Sequence, residues 1–302
     1  MIATDQYELL TTDAGLVDRS DRAKLLVRGS DVADFLQGQV SNDVEALEPG
    51  RGCYAVILTH KGKLRTDLRI LRGEDWWWID TEAIGHRVVT HTIQTYSLGR
   101  DVRFEDVTDE RAILSLVGPR SRERLDAAPG LEELSFVEGA HGLYAATDLG
   151  VDVVTDDPDA ARAALDVEEV SADAAECVRI ESGRPRLGFD MDAETMPQEA
   201  GINARAVSFT KGCYVGQETV ARLHYKGKPN RTLRGLRLSA PVERGEEIRL
   251  GEKVVGRVGS ACVSPALGPI ALALVRREAA TGDTVEVGAG AEAEVVELPF
   301  RP

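Results

Sequence analysis

The chain has few of the residues that build metal sites, disulfide frameworks and membrane spans. Its 302 residues include four cysteines and five histidines, and no CxxC pair occurs. The sequence therefore indicates neither a zinc knuckle nor a disulfide scaffold, and we assign no metal. No apolar run approaches the roughly 18 residues that a membrane helix needs. The N-terminus is too acidic and polar for a secretory signal, so we expect a soluble cytoplasmic protein without membrane contact.

Lysine is also scarce. The chain has seven lysines and twenty-nine arginines against fifty-one acids, which gives a formal net charge of -15. Excess carboxylate with little lysine suits a protein that stays hydrated in concentrated salt, so we infer a halophilic source. The acidity also argues against nucleic-acid binding, because counterion release contributes little when salt is already concentrated.

Two segments reverse this charge. Between Arg51 and Arg72 there are six basic residues and one acid, and between Lys211 and Arg237 there are seven basic residues and one acid. Two cationic segments in an anionic chain favour a site for an anionic ligand, because local potential concentrates the opposite charge. Pairing of these bases with carboxylates from elsewhere in the chain is the alternative interpretation.

Hydrophobic patterning predicts an α+β fold. Residues 52–59 and 64–71 have the alternation of a hairpin, and residues 82–96 have the period of an amphipathic helix. A further helix is expected from Gly118-Pro119 to about Ala127. The chain has no glycine-rich phosphate fingerprint, which argues against a nucleotide-binding doubly wound sheet.

Beyond residue 229 the pattern changes to short strands separated by glycine and proline turns. Six such strands predict a small antiparallel barrel, at residues 231–238, 246–250, 253–263, 269–276, 284–287 and 292–298. We place the domain limits at residues 1–105, 106–226 and 229–302, and the first two domains may exchange segments.

Asp67 is the first candidate site residue. Alternation along residues 64–71 places Arg65, Asp67 and Arg69 on one face of a strand. We therefore expect two guanidinium groups to flank Asp67 and to favour its charged form. A simple cross-strand salt bridge is the alternative.

The segment from Lys211 to Glu218 holds a thiol, two glycines and several polar groups in eight residues. Gly212 and Gly216 permit a tight loop from which Cys213 and Tyr214 would project. Lys211 stands two residues before the cysteine and would favour its reactive thiolate. A buried structural cysteine in a tight turn is the alternative.

Glu181 is a candidate because its position is locally unfavourable. The helix that begins near Asp173 is expected to end near Gly183, which places Glu181 in the last turn, where the helix dipole disfavours an anion. Such a conflict is a hint of function. The alternative is a solvated glutamate, or one paired with Arg179 or Arg184.

The run from Lys211 to Arg222 resembles the signature of the YgfZ-type folate-binding proteins, which are relatives of the glycine-cleavage T-protein (aminomethyltransferase). Residues 15–44, Val117-Gly118-Pro119, 179–183 and 196–201 resemble other landmarks of that family. The resemblance implies a T-protein-like arrangement of domains around a central channel for tetrahydrofolate, with the C-terminal barrel as the third domain.

The resemblance also implies roles for residues. Glu181 corresponds to the glutamate that binds the pterin ring, and Asp67 to the catalytic aspartate near the reactive folate nitrogens. T-proteins usually have two consecutive acids there, whereas this chain has Thr66 before Asp67. Cys213 would be a reactive thiol at the folate channel, assisted by Lys211. The remaining cofactor-binding candidates are Arg179, Tyr214, Gln217 and Arg222.

Two functions follow from this resemblance. The first is a tetrahydrofolate-binding protein that supports iron-sulfur cluster assembly or repair through Cys213, with iron-sulfur client enzymes as partners. The alternative is an aminomethyltransferase that takes a one-carbon unit from a lipoyl carrier protein and passes it to tetrahydrofolate. The Cys213 motif favours the first function, and Asp67 favours the second.

Overall fold

A computed structural model of the protein describes residues 2–125 and 130–300. These residues form two five-stranded antiparallel sheets and a closed six-stranded barrel, with helices packed around them. The predicted α+β fold with a C-terminal antiparallel barrel is therefore confirmed. Within the described residues, no helix has the length and apolar content needed to cross a bilayer.

The first sheet carries the predicted hairpin. In spatial order its strands are β3 (Arg51–Leu58), β4 (Leu64–Arg72), β5 (Trp77–Thr81), β2 (Ala23–Arg28) and β6 (Arg103–Asp106). One face of this sheet packs against helices α2 (Val32–Gln39) and α3 (His86–Tyr96). The hairpin agrees with the predicted limits to within one residue at each end, because strict alternation identifies a half-buried strand well.

The second sheet combines strands from both sides of the predicted domain limit at residue 105. Its spatial order is β1 (Gly15–Asp18), β7 (Ala112–Val117), β10 (Gly150–Thr155), β9 (Gly142–Ala146) and β8 (Phe136–Gly139). An apolar layer that includes Trp78, Phe136 and Val154 lies between the two sheets. The two sheets therefore share a core, and strand β1 belongs structurally with the later part of the chain.

The remaining helices connect the sheets to the barrel. They are α1 (Thr4–Thr12), α4 (Pro158–Leu165), α5 (Ala172–Glu181), α6 (Asn203–Ala206) and α7 (Gln217–Lys226). Helix α5 begins earlier than expected, because the Ser171 hydroxyl accepts a hydrogen bond from the Ala174 amide and caps it.

The helix predicted from Gly118 is absent from its described part, which forms turns at residues 118–125. Gly118 has a φ of 136°, a backbone conformation that does not start a helix. Its missing side chain lets the backbone approach the Asp13 carbonyl oxygen. The end of that prediction, up to Ala127, lies outside the described residues.

The barrel follows the predicted strands closely. Its strands are β11 (Arg231–Leu238), β12 (Glu247–Leu250), β13 (Lys253–Ser264), β14 (Gly268–Arg276), β15 (Thr284–Val287) and β16 (Ala291–Val296). The barrel is joined to α5 through Asp190. The Asp190 carboxylate accepts hydrogen bonds from Arg179 Nη1 at 3.0 Å and from the Ser260 backbone amide at 2.7 Å.

Candidate functional site

A cavity of about 320 Å³ lies where the two sheets and helix α5 meet. We call it the central cavity. Its volume is within the range of small-molecule sites. Charged side chains dominate its lining, and they are Asp18, Arg19, Asp21, Arg22, Asp67, Arg69, Asp80, Glu82, Glu133, Asp148, Asp152, Glu176, Arg179, Arg184, Arg186 and Arg205.

Asp80 is the centre of the ion-pair network in this lining. Its fully buried carboxylate accepts hydrogen bonds from Arg69 Nε at 2.7 Å, from Arg22 Nη2 at 2.8 Å and from Trp78 Nε1 at 2.9 Å. Burial alone would raise the pKa of Asp80, but Arg69 and Arg22 lower it below the ordinary value. Asp80 therefore stays ionised and fixes both guanidinium groups.

Arg69 joins the two sheets across the cavity. While its Nε binds Asp80 on β5, its Nη1 donates to Asp152 Oδ2 on β10 at 2.6 Å. The Ser115 hydroxyl holds the other Asp152 oxygen at 2.6 Å. Because Arg69 is committed to these carboxylates, it makes no ion pair with Asp67.

Asp67 lies in the cavity without the cationic partners that the sequence predicts. Its Oδ2 accepts a hydrogen bond of 2.7 Å from the Tyr54 hydroxyl. Burial raises the pKa of Asp67 above its ordinary value, and the Tyr54 bond and the charge of Arg22 only oppose that effect. The expectation that flanking guanidinium groups favour the charged form was therefore wrong. The sequence could not show that Arg69 turns to Asp80 and Asp152.

Three polar groups in the cavity lining lack a hydrogen-bond partner among the described residues. Asp67 Oδ1 and Arg69 Nη2 are both shielded from solvent and unpaired. The half-buried Arg19 guanidinium also makes no hydrogen bond or close ion pair with a described residue, and burial lowers its pKa. Buried polar atoms are rarely left unpaired, so an acceptor and two donors in one cavity indicate a ligand site.

Arg179 lines the cavity, but its guanidinium is already occupied. It donates to Glu176 from Nε at 2.9 Å, to Asp190 from Nη1 at 3.0 Å and to the Ser260 hydroxyl from Nη2 at 2.6 Å. It also donates to the Arg184 carbonyl. Arg179 therefore holds α5, the cavity wall and the barrel together.

Glu181 is not among the residues that line the central cavity. It is 5% exposed and lies between α1, α5 and the barrel. The Tyr7 hydroxyl donates to its two oxygens at 2.8 and 3.0 Å, and the Ser264 hydroxyl donates to Oε1. The position in the last turn of α5 agrees with the sequence, but the structure places this carboxylate away from the central cavity.

Lys211 has a different set of partners from the one that its position near Cys213 suggests. Its Nζ donates to the backbone carbonyls of Gln37 at 2.6 Å, Val40 at 2.8 Å and Asn42 at 3.0 Å. An ammonium group has three donors, so all are used at the C-terminal end of α2. The geometry leaves no N–H for the Cys213 thiol.

Cys213 is exposed, and its loop is not part of the cavity lining. The buried Tyr214 ring packs beneath the β3–β4 hairpin with Val56 and Leu58. Burial raises the pKa of the Tyr214 hydroxyl to about 12. Gln217 opens α7, and Arg222 is exposed on it. Of the site residues predicted from the sequence, the structure thus brings together only Asp67 and Arg179 in the central cavity.

The two cationic segments contribute one basic residue to the cavity, Arg69. The cavity takes its other arginines from elsewhere in the chain, and sequence reasoning missed Arg19, Tyr54 and Asp152. The predicted hairpin could have indicated Tyr54, because it lies on the strand that pairs with β4. In that pair Val56 is opposite Asp67, and Tyr54 is two residues away from Val56 on the same face. Arg19 and Asp152 had none, since their approach depends on the pairing of distant strands.

Comparisons with known proteins agree with this architecture. The family described as GCVT N-terminal domain matches residues 2–155, and the glycine cleavage T-protein C-terminal barrel domain matches residues 231–301. The aminomethyltransferase of Prosthecochloris aestuarii is 31% identical over 98% of this chain and 90% of its own length. That of Thermotoga neapolitana is 29% identical over 95% of this chain and 86% of its own.

Two further similarities extend the comparison. A chloroplastic putative transferase of Arabidopsis thaliana is 29% identical over 94% of this chain and 71% of its own length. The crystal structure of the glycine cleavage system aminomethyltransferase T from Bartonella henselae superposes with a TM-score of 0.88. At 22% identity, it covers 98% of this chain and 88% of its own, which establishes the fold.

Replacing Asp67 with asparagine is expected to stabilise the protein at neutral pH. A carboxyl whose pKa is raised by folding costs stability increasingly as the pH rises from its unfolded-state pKa to its folded-state pKa, and the cost is complete above the latter. An amide has no such cost. We expect a gain of about 1 kcal/mol in the free energy of unfolding. The gain should disappear as the pH falls to 3.8, the ordinary pKa. Urea unfolding of Asp67→Asn and of the exposed control Asp109→Asn measures this, and equal gains in both would contradict it.

Replacing Lys211 with methionine tests whether this lysine is structural. Three carbonyls lose their donor, so Lys211→Met should lower the free energy of unfolding at neutral pH by about 1–3 kcal/mol. Burial lowers the pKa of Lys211 from 10.5 to about 8. Between about pH 8 and pH 10.5 the unfolded chain thus binds more protons at Lys211 than the folded chain does. The free energy of unfolding of the wild type should therefore gain a contribution that increases with pH in this interval, and the variant should lack it. The exposed control Lys61→Met should retain it, and a Lys211→Met protein as stable as this control would refute the assignment.

Proposed function

The chain belongs to the glycine cleavage T-protein family, and from this membership we propose that it binds tetrahydrofolate in the central cavity and transfers a one-carbon unit to it, as an aminomethyltransferase does. The observation that carries the proposal is the unpaired Asp67 Oδ1 in a cavity that also contains unpaired arginine donors. The named aminomethyltransferases of Prosthecochloris and Thermotoga favour this alternative over the iron-sulfur role that the Cys213 motif suggests.

The cavity residues fit a folate in their chemistry. Asp67 Oδ1 would accept a hydrogen bond from a ring N–H, whereas Arg69 Nη2 and Arg19 would donate to a carbonyl or carboxylate oxygen. Tetrahydrofolate, when bound, supplies the nitrogen that accepts the one-carbon unit. The protein supplies orientation, because both Arg69 and Asp67 are held by groups that cannot move without breaking buried bonds.

Asp67 would act as the proton-holding group. Its raised pKa brings protonated and ionised forms closer in free energy near neutral pH, which suits a general acid or base. Tyr54 fixes Oδ2 at 2.7 Å and leaves Oδ1 for the reactants. The Arg205 guanidinium lies 5.3 Å from the centre of the Tyr54 ring and is itself held by Glu133, so it restrains that ring. Tyr54 and Arg205 are therefore positioning residues.

The second candidate function is iron-sulfur cluster maintenance through Cys213. The exposed position of the Cys213 thiol favours it. The thiol lies near helix α7, where the exposed cations Arg222 and Lys226 form no ion pair with a described residue. This surface would suit an acidic client protein. Under the first function, the corresponding partner is a lipoyl carrier protein.

The decisive experiment is single-turnover transfer from aminomethyl-lipoylated carrier protein to tetrahydrofolate, measured as methylene-tetrahydrofolate in molar KCl. We expect transfer by the wild type and a loss of about 100-fold or more in Asp67→Asn, because that variant has no titrating carboxyl. Cys213→Ser should transfer at the wild-type rate. Folate binding without any transfer, together with failure of Cys213→Ser to complement a deletion strain, would instead favour the iron-sulfur role.

Folate affinity tests the cavity without requiring the reaction. Arg19→Gln should weaken tetrahydrofolate binding about tenfold, since a charge-assisted hydrogen bond is worth roughly 1.4 kcal/mol or more. The matched control is Arg87→Gln on α3, which removes an exposed arginine outside the cavity lining. Calorimetric titration measures both variants. If Arg19→Gln and Arg87→Gln bound tetrahydrofolate with equal affinity, the assignment of the central cavity as the folate site would be refuted.

A further inference from the structure

A second cavity of about 360 Å³ lies between the two sheets, away from the charged central cavity. Its lining includes the indoles of Trp76 and Trp78 and the aliphatic side chains of Leu26, Leu143 and Val154. Trp78 and Val154 are buried, whereas Trp76, Leu26 and Leu143 are partly exposed. A cavity of this volume that combines indole and aliphatic side chains with a few charged groups has the properties of a small-molecule site.

The β8–β9 turn contributes two glycines to the lining of this cavity. Gly139 and Gly142 stand at its edge, and both positions require glycine. A Cβ atom at Gly139 would lie 2.1 Å from the Tyr144 ring, and one at Gly142 would lie 2.1 Å from the Val154 carbonyl oxygen. A larger residue at either position would therefore disturb the Tyr144 ring or strand β10.

Charge at the rim of the cavity favours an anion. Arg28, at the end of β2, is exposed, and its guanidinium forms no ion pair or hydrogen bond with a described residue. Arg111 contacts Asp156 at 3.2 Å in an exposed pair, which costs little to exchange for another carboxylate. Glu138 is the acid in the lining. Unpaired cationic charge is notable in a chain of net charge -15.

We propose that this second cavity is a binding site for a planar aromatic anion, a carboxylate or sulfonate, separate from the central cavity. The ring would insert beside Trp76 and Trp78, since flat aromatic groups gain from contact with indole beyond simple burial. The anionic group would remain at the rim, where Arg28 donates to it and Arg111 adds a second cation. This site is independent of the proposed transfer reaction.

The probe for this proposal is 1-anilinonaphthalene-8-sulfonate, an aromatic anion whose naphthalene ring is planar. Trp76, Trp77 and Trp78 are the three tryptophans of the chain, and two of them line the cavity. Because the proposal is a single site, binding should be saturable with one probe per chain. Because Trp76 and Trp78 line that site, binding should also quench tryptophan emission. Trp76→Phe should reduce the quenching, whereas Trp77→Phe should change it little, because Trp77 packs on the opposite face of the sheet with α2 and α3.

Variants at the rim decide where the probe binds. Arg28→Gln should weaken probe binding about tenfold by calorimetry, and the exposed control Arg87→Gln should not change it. Leu143→Phe, which fills the cavity, should also weaken binding, and its circular dichroism shows whether it folds. Binding that is unsaturable, that is equal in Arg28→Gln and Arg87→Gln, or that is lost in Arg19→Gln instead would overturn the proposal, the last by locating the probe in the central cavity.

Discussion

The ion pair between Arg69 and Asp80 is the interaction on which the rest of the site depends. Asp80 is fully buried, and it keeps its charge only because Arg69 and Arg22 both bind it. Arg69 in turn reaches Asp152 on the second sheet. Removing one partner of such a group leaves an uncompensated buried charge, which costs about 3–5 kcal/mol. The relative position of the two sheets, and hence the central cavity, follows from this arrangement.

The same commitment of Arg69 explains the chemistry available to Asp67. Both residues project from β4 toward the cavity, and a free Arg69 would have held Asp67 in its ionised form. Because Asp80 and Asp152 occupy Arg69, Asp67 has only the neutral Tyr54 hydroxyl as a close partner. Its raised pKa is thus a consequence of where a neighbouring arginine is used. A raised pKa favours proton transfer near neutral pH, because it makes the protonated carboxyl less costly there.

The sequence predicted the elements well and the side-chain partners poorly. The barrel strands and the β3–β4 hairpin follow from the alternation and the turn residues within their own segments. The face of β4 that carries Asp67 was predicted for the same reason. The partners of Glu181 and Lys211 were not, because Tyr7, Ser264 and the end of α2 lie far away in sequence. Short-range charge patterns say little about contacts that only the folded chain creates.

The Cys213 loop shows how a specific motif can have a structural role beside any chemical one. Lys211 binds the carbonyls at the end of α2, while Tyr214 and Val220 pack beneath the hairpin that carries Tyr54 and Asp67. Gly216 brings the loop against the turn of that hairpin, since a Cβ atom there would lie 2.5 Å from the Thr59 carbonyl oxygen. Gly216, Lys211 and Tyr214 of the motif thus support one wall of the central cavity. The exposed Cys213 has no part in this packing, so a thiol function and the support of the cavity are physically separable within the same eight residues.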